Sequence, residues 1–229
     1  MLKTRHLRAA LALGALAALT LRPLAGQEAA EICKAVSKLA VGQWASYDAN
    51  CPRCGDAKLR LAVVGSEPRG DSTLYWLEIN GNDMGPQGQG GIIQLLVAGF
   101  GTGSTGVRGV VMKTGDQPAM RLPDPVVGMM GQRVAERSPG FELSRRCLNA
   151  RAVGWETVTV SAGAIRALHV KDADGGEAWL SRDIPFGFVK AVGTDGTEIL
   201  LTGHGTDAKS SITEKPQEMP LTGKLLQKP

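Results

Sequence analysis

Histidine is nearly missing from this sequence: of three in 229 residues, His6 sits among the N-terminal cations, which leaves His169 and His204 for any chemistry. No two histidines stand at i, i+4, so the helical His pair of the zinc peptidases is absent. No serine occupies a G-x-S-x-G turn, because the residue two before Ser104 is Thr102, so the nucleophile elbow of the α/β-hydrolases is absent too. Beyond Leu21 no apolar run approaches the ~20 residues of a spanning helix. Nor is there a charge excess once the N-terminus is set aside. The chain has 26 Lys+Arg against 22 Asp+Glu, but Lys3, Arg5, Arg8 and Arg22 fall in residues 1–26 with no acid, which leaves 22 against 22. A nucleic-acid binder needs a persistent basic face, and a balanced chain does not supply one. With no catalytic motif, no metal set and no cofactor fingerprint, the sequence reads as non-catalytic.

What is present begins with an export signal. Lys3, Arg5 and Arg8 precede the apolar run Ala9 to Leu21, and Pro23 to Gly26 offer small residues for cleavage, which predicts a signal peptide over 1–26 and a periplasmic or extracellular destination. Gln27 stands where a lipoprotein signal requires Cys, and Arg8 has no second Arg beside it, so the general secretory route is expected without lipidation. The mature chain is then not an integral membrane protein.

After a short helix the apolar period changes from 3.6 to two. Ile32, Ala35, Val36 and Leu39 recur at i, i+3, i+4 and i+7, and Gly42 is the expected stop. Candidate strands follow at 43–49, 58–64, 73–79, 92–97, 107–113, 155–160, 165–171, 177–181, 188–192 and 198–203, with turn clusters such as Asp174-Gly175-Gly176 between them. A second helix is expected from Asp124, as N-cap, to Ala135, with Pro125 at its first position. Ile92 to Val97 is apolar on both faces apart from Gln94, so part of the sheet must be covered twice. The expected fold is mainly β (α+β), a curled antiparallel sheet or half-barrel of roughly ten strands with one or two short helices packed on it. It occupies a single domain, 27–206, followed by a poorly ordered polar tail, 207–229.

Several local patterns need weighing. Gly101, Gly103 and Gly106 have the G-x-G-x-x-G spacing of a dinucleotide fingerprint, but β-branched Val107 to Met112 follows rather than a helix, so the motif reads as a loop between antiparallel strands. Cys51 and Cys54 in Cys-Pro-Arg-Cys-Gly allow three readings. A thioredoxin-like pair should open a helix, whereas a strand follows; a zinc knuckle needs two more ligands at similar spacing, whereas Cys33 and Cys147 are solitary. Four cysteines in an oxidising compartment instead suggest two disulfides. Of three possible pairings, Cys51 with Cys54 and Cys33 with Cys147 is favoured. His169 lies within a strand and His204 at a strand end; either could be a base or ligand, although a solitary sheet histidine is more often structural. Met112, Met120, Met129 and Met130 cluster in one stretch and form a candidate adaptable apolar surface for a ligand, the alternative being that they fill gaps between helix and sheet. Trp44, Trp76, Trp155 and Trp179 fall in strands, where core packing is expected.

The run Gly154 to Gly163, then Ile165 to Val170, Trp179-Leu180-Ser181 and Ile184 to Lys190 resembles a pattern of exported bacterial envelope proteins, in which a strand ending V-x-A-G-x-F/I is followed by W-x-S and P-x-G-F/L-V-K. Such chains are similar to the carrier and receptor proteins that sort lipoproteins to the outer membrane, the LolA/LolB-like half-barrel class. The resemblance implies a curled antiparallel sheet with a helix in its concave face; the carriers' functional residues have no matching motif here. Together these readings give a periplasmic binding module for a lipid, a lipoprotein acyl chain or another hydrophobic ligand, with a lipid, a lipoprotein or an envelope protein as partner. The alternatives are an envelope interaction protein with a filled core, and a thiol-disulfide oxidoreductase using Cys51 and Cys54.

Overall fold

The apolar stripe of the first helix needs something to lie on, and in the computed structural model of the chain it lies on a rolled sheet. The structure describes residues 25–36, 38–53, 55–82, 90–99, 107–128, 147 and 149–220. Helix α1 (Ala25–Val36) is followed by β1 (Trp44–Cys51), β2 (Gly55–Arg69), β3 (Ser72–Gly81), β4 (Gly91–Val97), β5 (Gly109–Thr114) and β6 (Met120–Arg121). Next come β7 (Arg151–Val160), β8 (Gly163–Lys171), β9 (Glu177–Leu180), β10 (Phe188–Val192), β11 (Glu198–Gly205) and β12 (Gln217–Glu218). All twelve join one sheet in the order β12-β6-β5-β4-β3-β2-β1-β11-β10-β9-β8-β7. Each expected strand is found, several longer than the pattern suggested, and β6 and β12 are added. The sheet is mixed rather than wholly antiparallel, because β12 runs parallel to β6.

The sheet is also curled. β7 is four places from β11 in the strand order, yet the Ala162 N–H in the β7–β8 turn donates to the Leu201 carbonyl of β11 at 3.4 Å. The β7 end is therefore rolled back over one face. Into that face α1 turns Ala29, Ile32 and Cys33, all buried, with Val36 half-buried behind them. This stripe is shifted from the expected one, since Ala35 is exposed and the helix ends at Val36. Gly42 does not stop it. Its N–H donates to Val63 O of β2, its φ of 97° places it in the left-handed region, and a Cβ there would lie 2.3 Å from Thr206 O. Glycine is required at that point by the close approach of two chain segments.

Of the second helix, residues 124–128 are helical; Val126 and Val127 donate to Pro123 O, so it starts one residue before the expected cap. The remainder, 129–135, is outside the described residues.

The doubly apolar strand β4 is covered on both faces. Ile93, Leu95 and Val97 point into the main core with Leu61, Val63, Leu77 and Leu201, while Ile92 joins Trp76, Val111, Ala119 and Ile212 in a second, smaller cluster. That second cluster is closed by residues 207–220, which composition reads as tail. Instead they form a strap across the outer face. Trp44 Nε1 donates to Asp207 at 2.7 Å, Ala208 N–H donates to Gly42 O, Lys113 Nζ meets Glu214 at 2.6 Å, and β12 ends on β6. Between these points sits Glu78 of β3, 0% exposed. It accepts from Gln94 Nε2 at 2.9 Å, from Ser210 Oγ at 3.2 Å and from the Ser211 backbone N–H at 3.0 Å. A buried carboxylate is tolerable only when its oxygens are satisfied, and here the strap supplies two of the three donors. Polar composition misled because the strap is held by paired polar groups and one apolar anchor, Ile212.

One buried polar atom has no such partner. The Tyr47 hydroxyl, within the main core, has no hydrogen-bond partner among the described residues, and burial pushes its phenol pKa up. Two substitutions separate these cases. Glu78→Ala removes the acceptor shared by three donors, leaving the Ser211 N–H without it while Gln94 Nε2 keeps Ser210 Oγ and Ser210 Oγ keeps Ile212 O, and is expected to cost about 2–4 kcal/mol by urea unfolding. Tyr47→Phe removes a hydroxyl that makes no bond and is expected to leave stability unchanged or raise it by up to ~1 kcal/mol; a loss on Tyr47→Phe as large as that of Glu78→Ala would contradict the assignment of these two groups.

Candidate functional site

The concave face is not filled evenly. Strand register sets Val170 of β8 opposite Ala178 of β9, Ala178 opposite Ala191 of β10, and Ala191 opposite Ile199 of β11. Two alanines thus stand mid-row between branched residues, and the neighbouring row of Leu168, Leu180 and Phe188 is bulky. The volume the alanines leave is a cavity of about 290 Å³, close to the lower end of ligand sites (~300 Å³) and room for roughly ten water-sized groups. Its floor is Val170, Ala178, Leu180, Phe188, Ala191 and Ile199, and Cys147 and Ala150 stand against it.

Cys147 is in place because it is bonded to Cys33 of α1, Cα to Cα 5.9 Å, as the sequence favoured. The disulfide spans 114 residues, and closing a loop of that length is worth on the order of 4 kcal/mol in the chain-entropy account. It also fixes the segment entering β7 as one side of the cavity. Sequence and chemistry meet here: the pairing that ties helix to sheet also bounds the site.

Two turns form the rim. In the β8–β9 turn Asp172 Oδ1 accepts the N–H groups of Asp174 at 2.9 Å and Gly176 at 2.8 Å. In the β10–β11 turn Asp195 Oδ1 accepts from Thr197 N–H at 3.0 Å, which holds the Asp195 carboxyl below its usual pKa. Beside the rim, Glu177 meets Lys171 Nζ at 3.0 Å and His169 Nε2 at 2.8 Å, and these hydrogen bonds, Lys171 foremost, lower its pKa. The rim carboxylates are therefore engaged in turns and pairs, and the interior they surround is apolar. Water in such a space finds few partners, so an apolar group is the better occupant.

His169 lies outside this cavity, between strands rather than facing a substrate. Its ring stacks on Trp179, centroids 4.4 Å apart and planes 8° from parallel, with Glu156 3.5 Å from Nδ1. Trp179 Nε1 also donates to Glu156. His204 is exposed at the end of β11 beside a smaller hollow of about 160 Å³ next to Arg182 and Phe186. Met112 packs half-buried against the main core and is register partner to Met120, in β5 and β6 at the far end of the strand order; Met129 and Met130 lie outside the described residues. None of the described methionines lines the cavity.

The tryptophans border the core rather than fill it: Trp76 and Trp179 pack half-buried against the smaller and the main cluster, Trp44 is half-buried and Trp155 is exposed. Arg60 lies over Trp44 at 5.1 Å, Arg121 over Trp76 at 5.7 Å, Arg166 over Trp155 at 5.2 Å and Lys190 over Trp179 at 5.3 Å. A ring with a cation on its face and a carboxylate on its N–H suits a half-exposed sheet surface better than an apolar interior. The Cys-x-x-Cys segment is a hairpin connection: Cys51 ends β1 in register with Gly55 of β2. It lacks the following helix that activates a thiol. Cys51 is disulfide-bonded; Cys54, its expected partner, lies outside the described residues. Gly101, Gly103 and Gly106 also lie outside them, but Leu96 of β4 registers with Gly109 of β5, so the strands they join are antiparallel, unlike a dinucleotide unit.

The lowered carboxylates fix a pH dependence. Glu177, Asp195, Asp207 and Glu214 all have folded pKa values below their ordinary ones, so their contribution is complete above the unfolded carboxylate pKa of about 4 and is lost as pH falls through the folded values. The urea midpoint should be level from neutral pH to about 5 and fall steadily below about 4; a midpoint that stays level to pH ~2.5 would contradict the pairing described.

No protein-family model and no curated protein sequence matches the chain. Among solved structures, a protein of Parabacteroides distasonis provisionally described as a lipoprotein aligns with 8% identity over 74% of this chain and 98% of its own, at a TM-score of 0.34. One of Bacteroides fragilis, provisionally described as exported with a YmcC-like fold, aligns with 12% identity over 72% and 96%, at 0.33. At those scores neither likeness carries an argument.

Proposed function

We propose that this chain is an exported, non-catalytic module of the cell envelope, its sheet rolled as a half-barrel around α1, and that the concave cavity takes an apolar molecule such as a lipid or lipoprotein acyl chain. The cavity of about 290 Å³ behind Ala178 and Ala191 carries the reading. Two further features support it. The N-terminal cations and apolar run have the form of an export signal, and the Cys33–Cys147 bond suits an oxidising compartment.

A second reading, an envelope interaction protein with a filled core, draws on the rest of the concave face, where Ile32, Leu61, Val63, Leu77, Leu95 and Leu201 pack tightly on one another. The cavity is what separates the two, so the test is to fill it. A naphthylamine dye that fluoresces in apolar sites should bind the purified protein saturably and be displaced by medium-chain fatty acids. Ala178→Phe should weaken dye binding about tenfold or more, ~1.4 kcal/mol, while the urea midpoint stays level or rises. If wild type binds neither dye nor fatty acid, and protein isolated without detergent shows only its own mass, the carrier reading is lost and the filled-core reading stands.

A further inference from the structure

The two ends of this sheet are treated differently. At one end the chain closes its own edge, with β12 laid along β6. At the other β7 ends the strand order, with β8 as its one strand neighbour among the described residues. β7 is ten residues long, and most of its positions are exposed. Among the described residues it carries two of the three large hydrophobic residues that stand out from the surface, Val153 at 58% and Trp155 at 42% exposed. A long edge strand with apolar side chains is a template for another strand, and proteins usually blunt it.

The sequence of β7 is complementary to itself. A bulge between Ala152 and Gly154 shifts the register against β8, so Arg151 stands opposite Lys171 and Glu156 opposite Ala167. Those β8 partners are separated by an even number of positions, which places Arg151 and Glu156 on the same face despite their odd spacing in β7. Glu156 Oε1 is held within its own copy, by Trp179 Nε1 and by His169 Nδ1 at 3.5 Å, and its half-exposed side chain keeps Oε2 for a further donor. A twofold axis perpendicular to the sheet, passing between residues 153 and 154, then sets Arg151 against Glu156 of a second copy and Glu156 against Arg151. Val153 falls opposite Gly154, which offers no side chain to clash. Without the bulge the two charges would lie on opposite faces and this pairing would be impossible.

The geometry points to β7 as an isologous docking edge for the β7 of a second copy of this chain, antiparallel, with two symmetric Arg151–Glu156 pairs fixing the register. The contact extends two sheets into one and buries the Val153 side chains. Opposite charges across the axis select this register, while like charges in a shifted register oppose it. The pairing is independent of the cavity and does not require a ligand.

Sedimentation velocity across a range from low-micromolar to near-millimolar protein tests it, with circular dichroism confirming that each variant is folded. Wild type should show a reversible monomer–dimer equilibrium. Arg151→Glu places like charges at both ends of the pairing and should raise the dimer Kd about tenfold or more. Arg151→Glu combined with Glu156→Arg reverses both pairs and should return the Kd to within about threefold of wild type. Val153→Lys, at an exposed position, should abolish the dimer. A wild type that remains monomeric throughout, or a dimer indifferent to Arg151→Glu and Val153→Lys, overturns the inference.

Discussion

Everything in this fold follows from strands that are apolar on both faces. A strand such as Ile92 to Val97 cannot leave either side to water, and one helix of twelve residues cannot cover two sides. The inner face is covered by rolling the sheet around α1, which brings the β7–β8 turn onto β11. The outer face is covered by the strap, and a strap of polar composition can be held there only if its polar groups are satisfied as they become buried. Glu78 meets that condition. Its carboxylate accepts from Gln94 beneath and from Ser210 and Ser211 above, so the strap and the sheet share one hydrogen-bonded group.

The same rolling creates the cavity. A row that reads Val170, Ala178, Ala191, Ile199 on a flat sheet would only be a shallow dip. On a curled face, with Cys147 held beside it by the bond to Cys33, the missing side chains become a deep hollow open at its rim. The motif residues around it serve the same end. Gly187 has a φ of 81°, and a Cβ there would lie 2.5 Å from Val36 of α1, so the P-x-G-F-V-K turn needs glycine to let the helix descend onto the sheet. Phe188 and Val189 that follow are buried, and Lys190 registers with Trp179 and covers its ring. The W-x-S and P-x-G-F-V-K motifs are thus turn and packing signals.

How much was legible in the sequence follows from range. Period-two patterns and turn clusters placed all ten expected strands, because each signal is local; compartment and count left three cysteine pairings, and the favoured one includes the Cys33–Cys147 bond that is found. What failed depended on contacts distant in sequence. Residues 207–220 read as tail because no local pattern reveals that Glu78, over 130 positions away, provides their partner. The tryptophans read as core, and only Trp76 and Trp179 pack against it, because a sequence does not show which face of a strand carries the cation that will cover the ring. The alanines at 178 and 191 attracted no notice, since a small residue in a strand carries no signal until register sets another opposite it; the one alanine in each of Glu177 to Leu180 and Phe188 to Val192, among larger residues, was the available signal.

Empty space of this size is not neutral in a small domain. At about 24 cal/mol per Å³, the calibration for enclosed core cavities, 290 Å³ corresponds to an upper limit of roughly 7 kcal/mol, of the same order as the whole stability of an ordinary domain. The opening at the rim lowers that figure, because the rim admits water, yet the floor gives water little to bond to. A fold that retains such a volume must be compensated elsewhere, and the compensation is visible: a disulfide spanning 114 residues, a strap that seals the opposite face, and rim turns closed by their own aspartates. On the reading proposed above, an occupant that fills the cavity recovers the dispersion and desolvation energy the bare wall forgoes, which would offset part of that cost.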